Sequence, residues 1–176
     1  MKTSPGLCKA TSNDKRLNRS MVKFIDTRDP NYADIGELNS KMEYIKKELN
    51  ISVKQIDYDF NFDYMAGHFN TIFCFEVLEY LQNPLFFMNQ IKKILNDNGT
   101  LYLSSPSRPR FLWTKHHFFE MDRKHLYKWI LEPLDFKIVR KKKIRINHHW
   151  TFYLSGFRLF FRIFFNYTNI YEIKHL

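Results

Sequence analysis

The groups in this chain that could do chemistry are carboxylates and histidines standing where apolar runs stop. Asp34-Ile35-Gly36-Glu37 closes a short apolar run that begins at Tyr32. A strand ending in Asp-x-Gly ahead of a helix gathers free backbone donors and a carboxylate at one point. A ligand with a hydroxylated ribose and an amino-acid tail needs that combination. Glu76 ends the longer apolar run from Asn70 to Phe75. Ligands of open α/β sheets sit outside the carboxyl ends of the strands, so Glu76 is expected to face one. The alternative is a helix N-terminal acid favoured by the macrodipole. Asp57, Asp59 and Asp63 follow another strand pattern. Of these, Asp59 is the best candidate to accept from ribose hydroxyls, with solvated loop acids as the alternative. His116 and His117 lie on the long loop from Ser107 to Glu120 and can act as bases near neutral pH. The alternative is a pair of surface histidines beside packed aromatics. The histidine pairs lack the ligand spacing of a structural zinc, so no metal is expected.

The elements that must position these groups follow from periodicity. Leu17, Met21, Val22 and Ile25 have helical spacing, and Asp26 to Pro30 breaks it. Tyr32 to Ile35 reads as a strand. Asn39 or Ser40 caps a helix through Leu49, and Ile51 to Ile56 reads as the next strand. Asn70 to Phe75 lacks polar alternation, which suits a strand buried on both faces. Pro84 opens a helix that runs to Leu95, where its missing donor costs little. Asp97-Asn98-Gly99 turns the chain into a strand over 100–104. A helix over 123–131 is stopped by Pro133, and Phe136 to Ile146 is a strand with a basic middle. Residues 150–165 read as an aromatic helix, and Ile170 to Ile173 as a last strand. Alternating strands and helices imply parallel pairing through crossovers.

The 176 residues suffice for one domain with a sizeable core. We expect a loose segment over 1–14 and a single α/β domain over 15–176. The net charge of +10 points to an anionic partner or to a basic, solvated surface. Arg140-Lys141-Lys142-Lys143 can meet phosphates or a membrane surface; the alternative is that half of those side chains face water, as in a strand. Nucleic acid is the less favoured partner. Cys8 and Cys74 do not form a disulfide framework, no apolar leader opens the chain, and no uncharged run is long enough to span a bilayer. A cytoplasmic location, with or without peripheral membrane contact, is the expectation.

Several segments together resemble the class I S-adenosylmethionine-dependent methyltransferases. Phe69 to Leu81, followed by Asn83-Pro84, is similar to that family's fourth-strand region, whose pattern is roughly Phe-Asp, a strand, then Glu-Val-Leu-Glu-His-Leu. Here Asn70 replaces the usual Asp and Tyr80 the common His. Asp34 to Asn39 resembles the first motif, Asp-x-Gly-x-Gly-x-Gly, with Leu38 and Ser40 at the later glycine positions. Lys92 to Pro106, His117 to Glu120, His125-Leu126 and Leu131 to Ile138 continue the series in order, so the resemblance spans about residues 32–146. It implies a Rossmann-like, mostly parallel sheet with helices on both faces. Only about 36 residues separate Asp34 from Asn70, so one strand–helix unit is expected to be missing. It also implies methyl transfer from S-adenosylmethionine to a small-molecule or glycan-type acceptor. Asp34, Gly36 and Glu37 would hold the methionine and ribose parts, Asp59 and Glu76 would line the pocket, and His116 or His117 would be the acceptor-side base. The rival is a catalytically inactive methyltransferase-like scaffold, or a basic module for nucleic acid or membrane surfaces.

Overall fold

The computed structural model describes residues 15–36, 40–57, 67–145, 164 and 167–175. Its helices are α1 (Lys15–Val22), α2 (Ser40–Leu49), α3 (Pro84–Ile94) and α4 (Arg123–Leu126). Its strands are β1 (Tyr32–Ile35), β2 (Val53–Ile56), β3 (Phe69–Phe75), β4 (Leu95–Pro106), β5 (Phe136–Arg145) and β6 (Tyr167–His175). The described strands form one sheet in the order β2-β1-β3-β4-β6-β5. β1 to β4 are mutually parallel, and β6 lies antiparallel between β4 and β5.

β3 is buried on both faces because alternate side chains feed two separate cores. Phe73 and Phe75 meet Leu17, Met21, Met42 and Ile45 of α1 and α2. Ile72 and Cys74 meet Phe87, Met88 and Ile91 of α3, together with Leu126 and Ile130. The helices therefore cover both faces, as the alternation of elements predicts.

α3 begins as its sequence dictates. The Asn83 side chain accepts from the Phe86 N–H at 3.0 Å, and Pro84 occupies the first turn. Three boundaries differ from the expected ones. β4 starts at Leu95, directly after α3, where Leu95 already pairs with Phe69. The Asp97-Asn98-Gly99 bend lies inside it, and a side chain on Gly99 would come within 2.6 Å of Leu95. The last strand runs over 167–175 rather than 170–173, because it is paired along both edges. The helix after Arg123 is α-helical for one turn only; Tyr127–Leu131 is π-helical and Glu132–Leu134 is a 3-10 turn. Pro133 has no N–H with which to continue an α-ladder there. The aromatic segment over 150–165 lies outside the described residues except for Phe164, which is exposed.

Candidate functional site

The chain leaves β1 toward β2 on one side and returns to β3 on the other. Such a reversal of strand order opens a crevice at the carboxyl ends of the two central strands. Asp34 and Gly36 stand at that end of β1, and Glu76 follows β3 directly, with Asp34 and Phe73 as register partners.

Gly36 adopts a φ of 145°, and a Cβ there would come 3.0 Å from the Val77 side chain. Its N–H donates to the Ile56 carbonyl at 3.2 Å, and its own carbonyl accepts from the Gln55 amide at 2.7 Å. Gly36 is thus held to the β2 end and lies close to the Val77 side chain. Asp34 is buried, and one carboxyl oxygen has no partner. Burial pushes its pKa up to about 6, against smaller opposing pulls from Gln55 and Lys46.

Glu76 sits in the left-handed region with φ 58°. The other described non-glycine residues with positive φ are Asn31, Asn50 and Asp135, types that tolerate it through their short polar side chains. Glu76 has no such local compensation; its N–H is held by the Ser104 carbonyl at 3.0 Å. Its carboxylate pairs with the Lys41 ammonium and accepts from the Thr168 hydroxyl at 3.3 Å. Burial raises the pKa of Glu76, but Lys41, Thr168 and Arg108 together outweigh it and hold the group below its usual range. Glu79, one turn on, goes the other way. Burial and then the nearby Glu76 charge push its pKa well above the usual carboxylate value.

The long loop after β4 folds back onto this corner. The Phe118 N–H donates to the Glu79 carbonyl at 2.7 Å, which ties the loop to the 3-10 turn Leu78–Tyr80. Glu120 is buried at the loop's end. It accepts from the Arg108 guanidinium at 3.0 Å, from the Thr114 N–H at 2.8 Å and from His117 Nδ1 at 2.7 Å. Burial raises its pKa, but these three partners prevail and keep it ionised. An ionised acceptor at Nδ1 favours a proton on that nitrogen, and in that neutral tautomer Nε2 is the acceptor. Nε2 lies 3.2 Å from the Tyr80 hydroxyl, whose ring packs edge-on against the imidazole. The arrangement is a carboxylate–imidazole–phenol chain leading from a buried acid to a partly exposed hydroxyl. It can take up a proton at its outer end and stabilise the resulting imidazolium from within.

The candidates named from sequence therefore separate. Asp34, Gly36 and Glu76 stand at the carboxyl ends of the two central strands, and His117 joins a chain anchored to the Leu78–Tyr80 turn. His116 is exposed on the loop. Glu37 and Asp59 lie outside the described residues. Lys41, Tyr80, Arg108, Glu120 and Thr168 were not assigned to the site by sequence reasoning. The His117–Glu120 spacing was a readable signal for one pair; Lys41 and Thr168 had none, because tertiary packing alone brings them to Glu76. Among the basic residues, Arg140 pairs with Glu172, donates to the Phe24 carbonyl at 3.0 Å and lies 4.8 Å over the Phe24 ring. Lys142 donates to the Ser20 carbonyl at 3.3 Å, and Lys143 sits 3.8 Å over Tyr167. Three of the four basic residues thus also touch neighbours of β5, while Arg140, Lys141 and Lys143 all remain exposed. A polar cavity of about 230 Å³ lies at the opposite ends of the strands, lined by Asp26, Asp29, Thr71, Tyr102 and Glu172. Among the described residues, no helix is long and apolar enough to cross a membrane, and no three His, Cys, Asp or Glu side chains cluster to hold a metal ion.

Residues 16–150 match the family described as methyltransferase domain. The chain belongs to that family. Methyl transfer is accordingly its class of activity. No curated relative matches the sequence. Among solved structures, a candidate methyltransferase of Bacillus halodurans is 11% identical with a TM-score of 0.65, over 89% of this chain and 97% of that one. A SAM-dependent methyltransferase of Archaeoglobus fulgidus is 15% identical with a TM-score of 0.58, over 90% and 91%. The magnesium protoporphyrin IX methyltransferase of Synechocystis, solved with bound S-adenosylhomocysteine, is 13% identical with a TM-score of 0.57, over 98% and 90%. At these identities the likeness carries the fold, which is the Rossmann-like α/β architecture of these methyltransferases.

Proposed function

We propose that this family member transfers a methyl group from S-adenosylmethionine to an oxygen or nitrogen of a small-molecule or glycan-type acceptor, with His117 as the base. The observation that carries this reading is the Glu120–His117–Tyr80 chain, tied through Phe118 and Glu79 to the corner after β3. The crevice fits the cofactor in kind. Asp34 has an unpartnered buried carboxyl oxygen beside the Gly36 turn, and Lys41 and Glu76 offer both signs of charge for an amino-acid tail. When bound, the cofactor supplies an electrophilic methyl group, so the protein is left with orientation and proton removal.

Asp34 accepts from cofactor donors at the β1 end. Gly36 keeps that turn open, since a side chain there would press on Val77. His117 takes the acceptor's proton at Nε2, directly or through the Tyr80 hydroxyl. Glu120 stabilises the imidazolium, and Arg108 and the Thr114 N–H keep Glu120 ionised for that task.

Isothermal titration with S-adenosylhomocysteine tests the cofactor half, and saturable heat is expected. For the base, labelled S-adenosylmethionine is offered with a panel of hydroxyl and amine acceptors. His117→Ala should lower the rate by about 10²–10³-fold while leaving S-adenosylhomocysteine affinity unchanged. A rate equal to the wild type would remove His117 from the reaction.

A further inference from the structure

Lys41 is a cation held almost out of solvent: its side chain is 11% exposed and its described partner is the carboxylate of Glu76. It stands in the first turn of α2, five residues beyond Gly36, and so reaches across the crevice from the β1 side to the β3 side. Burying a long cation against one acid carries a desolvation penalty that the pair's own attraction only partly offsets. At the same spot the backbone of Glu76 holds a left-handed conformation that Glu does not favour. Two unfavourable features meeting at one crevice mark a place shaped for something other than stability.

The sequence adds a third observation. Leu38 and Ser40 occupy positions where glycines would let backbone donors approach a ligand closely. The Lys41 ammonium is one residue beyond Ser40 and already inside the crevice.

We propose that the Lys41–Glu76 ion pair is exchanged when cofactor binds, Lys41 taking the carboxylate of the methionine tail and Glu76 its ammonium. This rests on the reading of the crevice as a cofactor site. The exchange conserves charge: each buried ion gives up one opposite partner and gains another, so neither is left unpaired. Thr168 retains its hydrogen bond to the other Glu76 oxygen and keeps the carboxylate aimed. Without a zwitterionic ligand the pair closes on itself, so the crevice selects for the tail as well as the nucleoside.

The test compares two ligands by isothermal titration. S-adenosylhomocysteine carries the amino-acid tail; 5′-methylthioadenosine keeps the nucleoside and sulfur and lacks it. Lys41→Met should weaken S-adenosylhomocysteine by at least about tenfold, the worth of one charge-assisted hydrogen bond, and leave 5′-methylthioadenosine within about twofold. Lys41→Arg should retain most of the wild-type affinity for both. Lys41→Met leaves Glu76 without its cation, so Lys41→Met with Glu76→Gln, which removes both charges, is measured alongside and read in the same way if the single variant does not fold. Unchanged or tighter S-adenosylhomocysteine binding, or an equal loss for both ligands, overturns the exchange. A wild-type protein that binds neither ligand overturns instead the cofactor reading on which it stands.

Discussion

Asp34 shows at a single residue how this site is held at the expense of stability. Its pKa lies near 6 in the fold against 3.8 for the free group, because burial disfavours the charged form. The folded state therefore binds the proton more tightly than the unfolded chain between those values. Stability from this group is complete below about pH 4 and declines as pH rises toward 6, remaining flat above. A rise of about two units corresponds to roughly 3 kcal/mol. Asp34→Asn should thus be more stable than the wild type by about 2–3 kcal/mol at pH 8, with the gain vanishing near pH 3. Urea denaturation of both proteins across that range checks it. The same variant should bind S-adenosylhomocysteine more weakly, the usual exchange of function for stability. Glu120 is the opposite case: its partners hold its pKa down, so its contribution is present at neutral pH and lost on acidification.

At the scale of elements, the corner after β3 depends on where α3 begins. Asn83, three residues beyond the end of the Leu78–Tyr80 turn, caps the helix, and Pro84 starts it. Asn83→Ala removes the acceptor for the Phe86 N–H and should cost about 1 kcal/mol, measurable as a lower urea midpoint with an unchanged slope. A loss above about 3 kcal/mol would show that Asn83 does more than cap. The loop from Ser107 to Glu120 is the second such element. It contributes the Glu120–His117 pair because Glu120 is buried at its far end and Phe118 is pinned to the Glu79 carbonyl.

At the scale of the whole molecule, β6 joins sheet and site. It lies between β4 and β5, pairing with both, and carries Thr168 to Glu76 and Glu172 to Arg140. Removing residues 167–176 would expose one edge of β4 and leave β5 without a ladder partner among the described strands. We expect this truncated chain to lose its cooperative thermal transition in circular dichroism; a wild-type-like transition would show that β5 and β6 are dispensable to the fold. The basic charge is best understood at this scale too. Arg140, Lys142 and Lys143 contact Phe24, Ser20 and Tyr167, so part of the basic charge also ties the edge strand to its neighbours.

Periodicity and punctuation placed six strands and the helices α1 to α4, but not the start of β4, the extent of β6 or the π and 3-10 turns after α4. Apolar alternation, Pro84, Asn83 and the Asp-x-Gly turn act over a few residues and need no distant partner. The same local logic put Asp34, Gly36 and Glu76 at strand ends, and parallel pairing then made those ends adjacent. The partners of these groups could not be read that way. Lys41 meets Glu76 across 35 positions and Thr168 meets it across 92, because sheet order and helix packing bring them together. Residue type made Glu76 look open to a ligand, whereas packing gave it a cation. Residue type made His116 and His117 equivalent, whereas burial of Glu120 distinguished them, since only a fixed acid inside the fold can orient one imidazole and leave its neighbour in solvent.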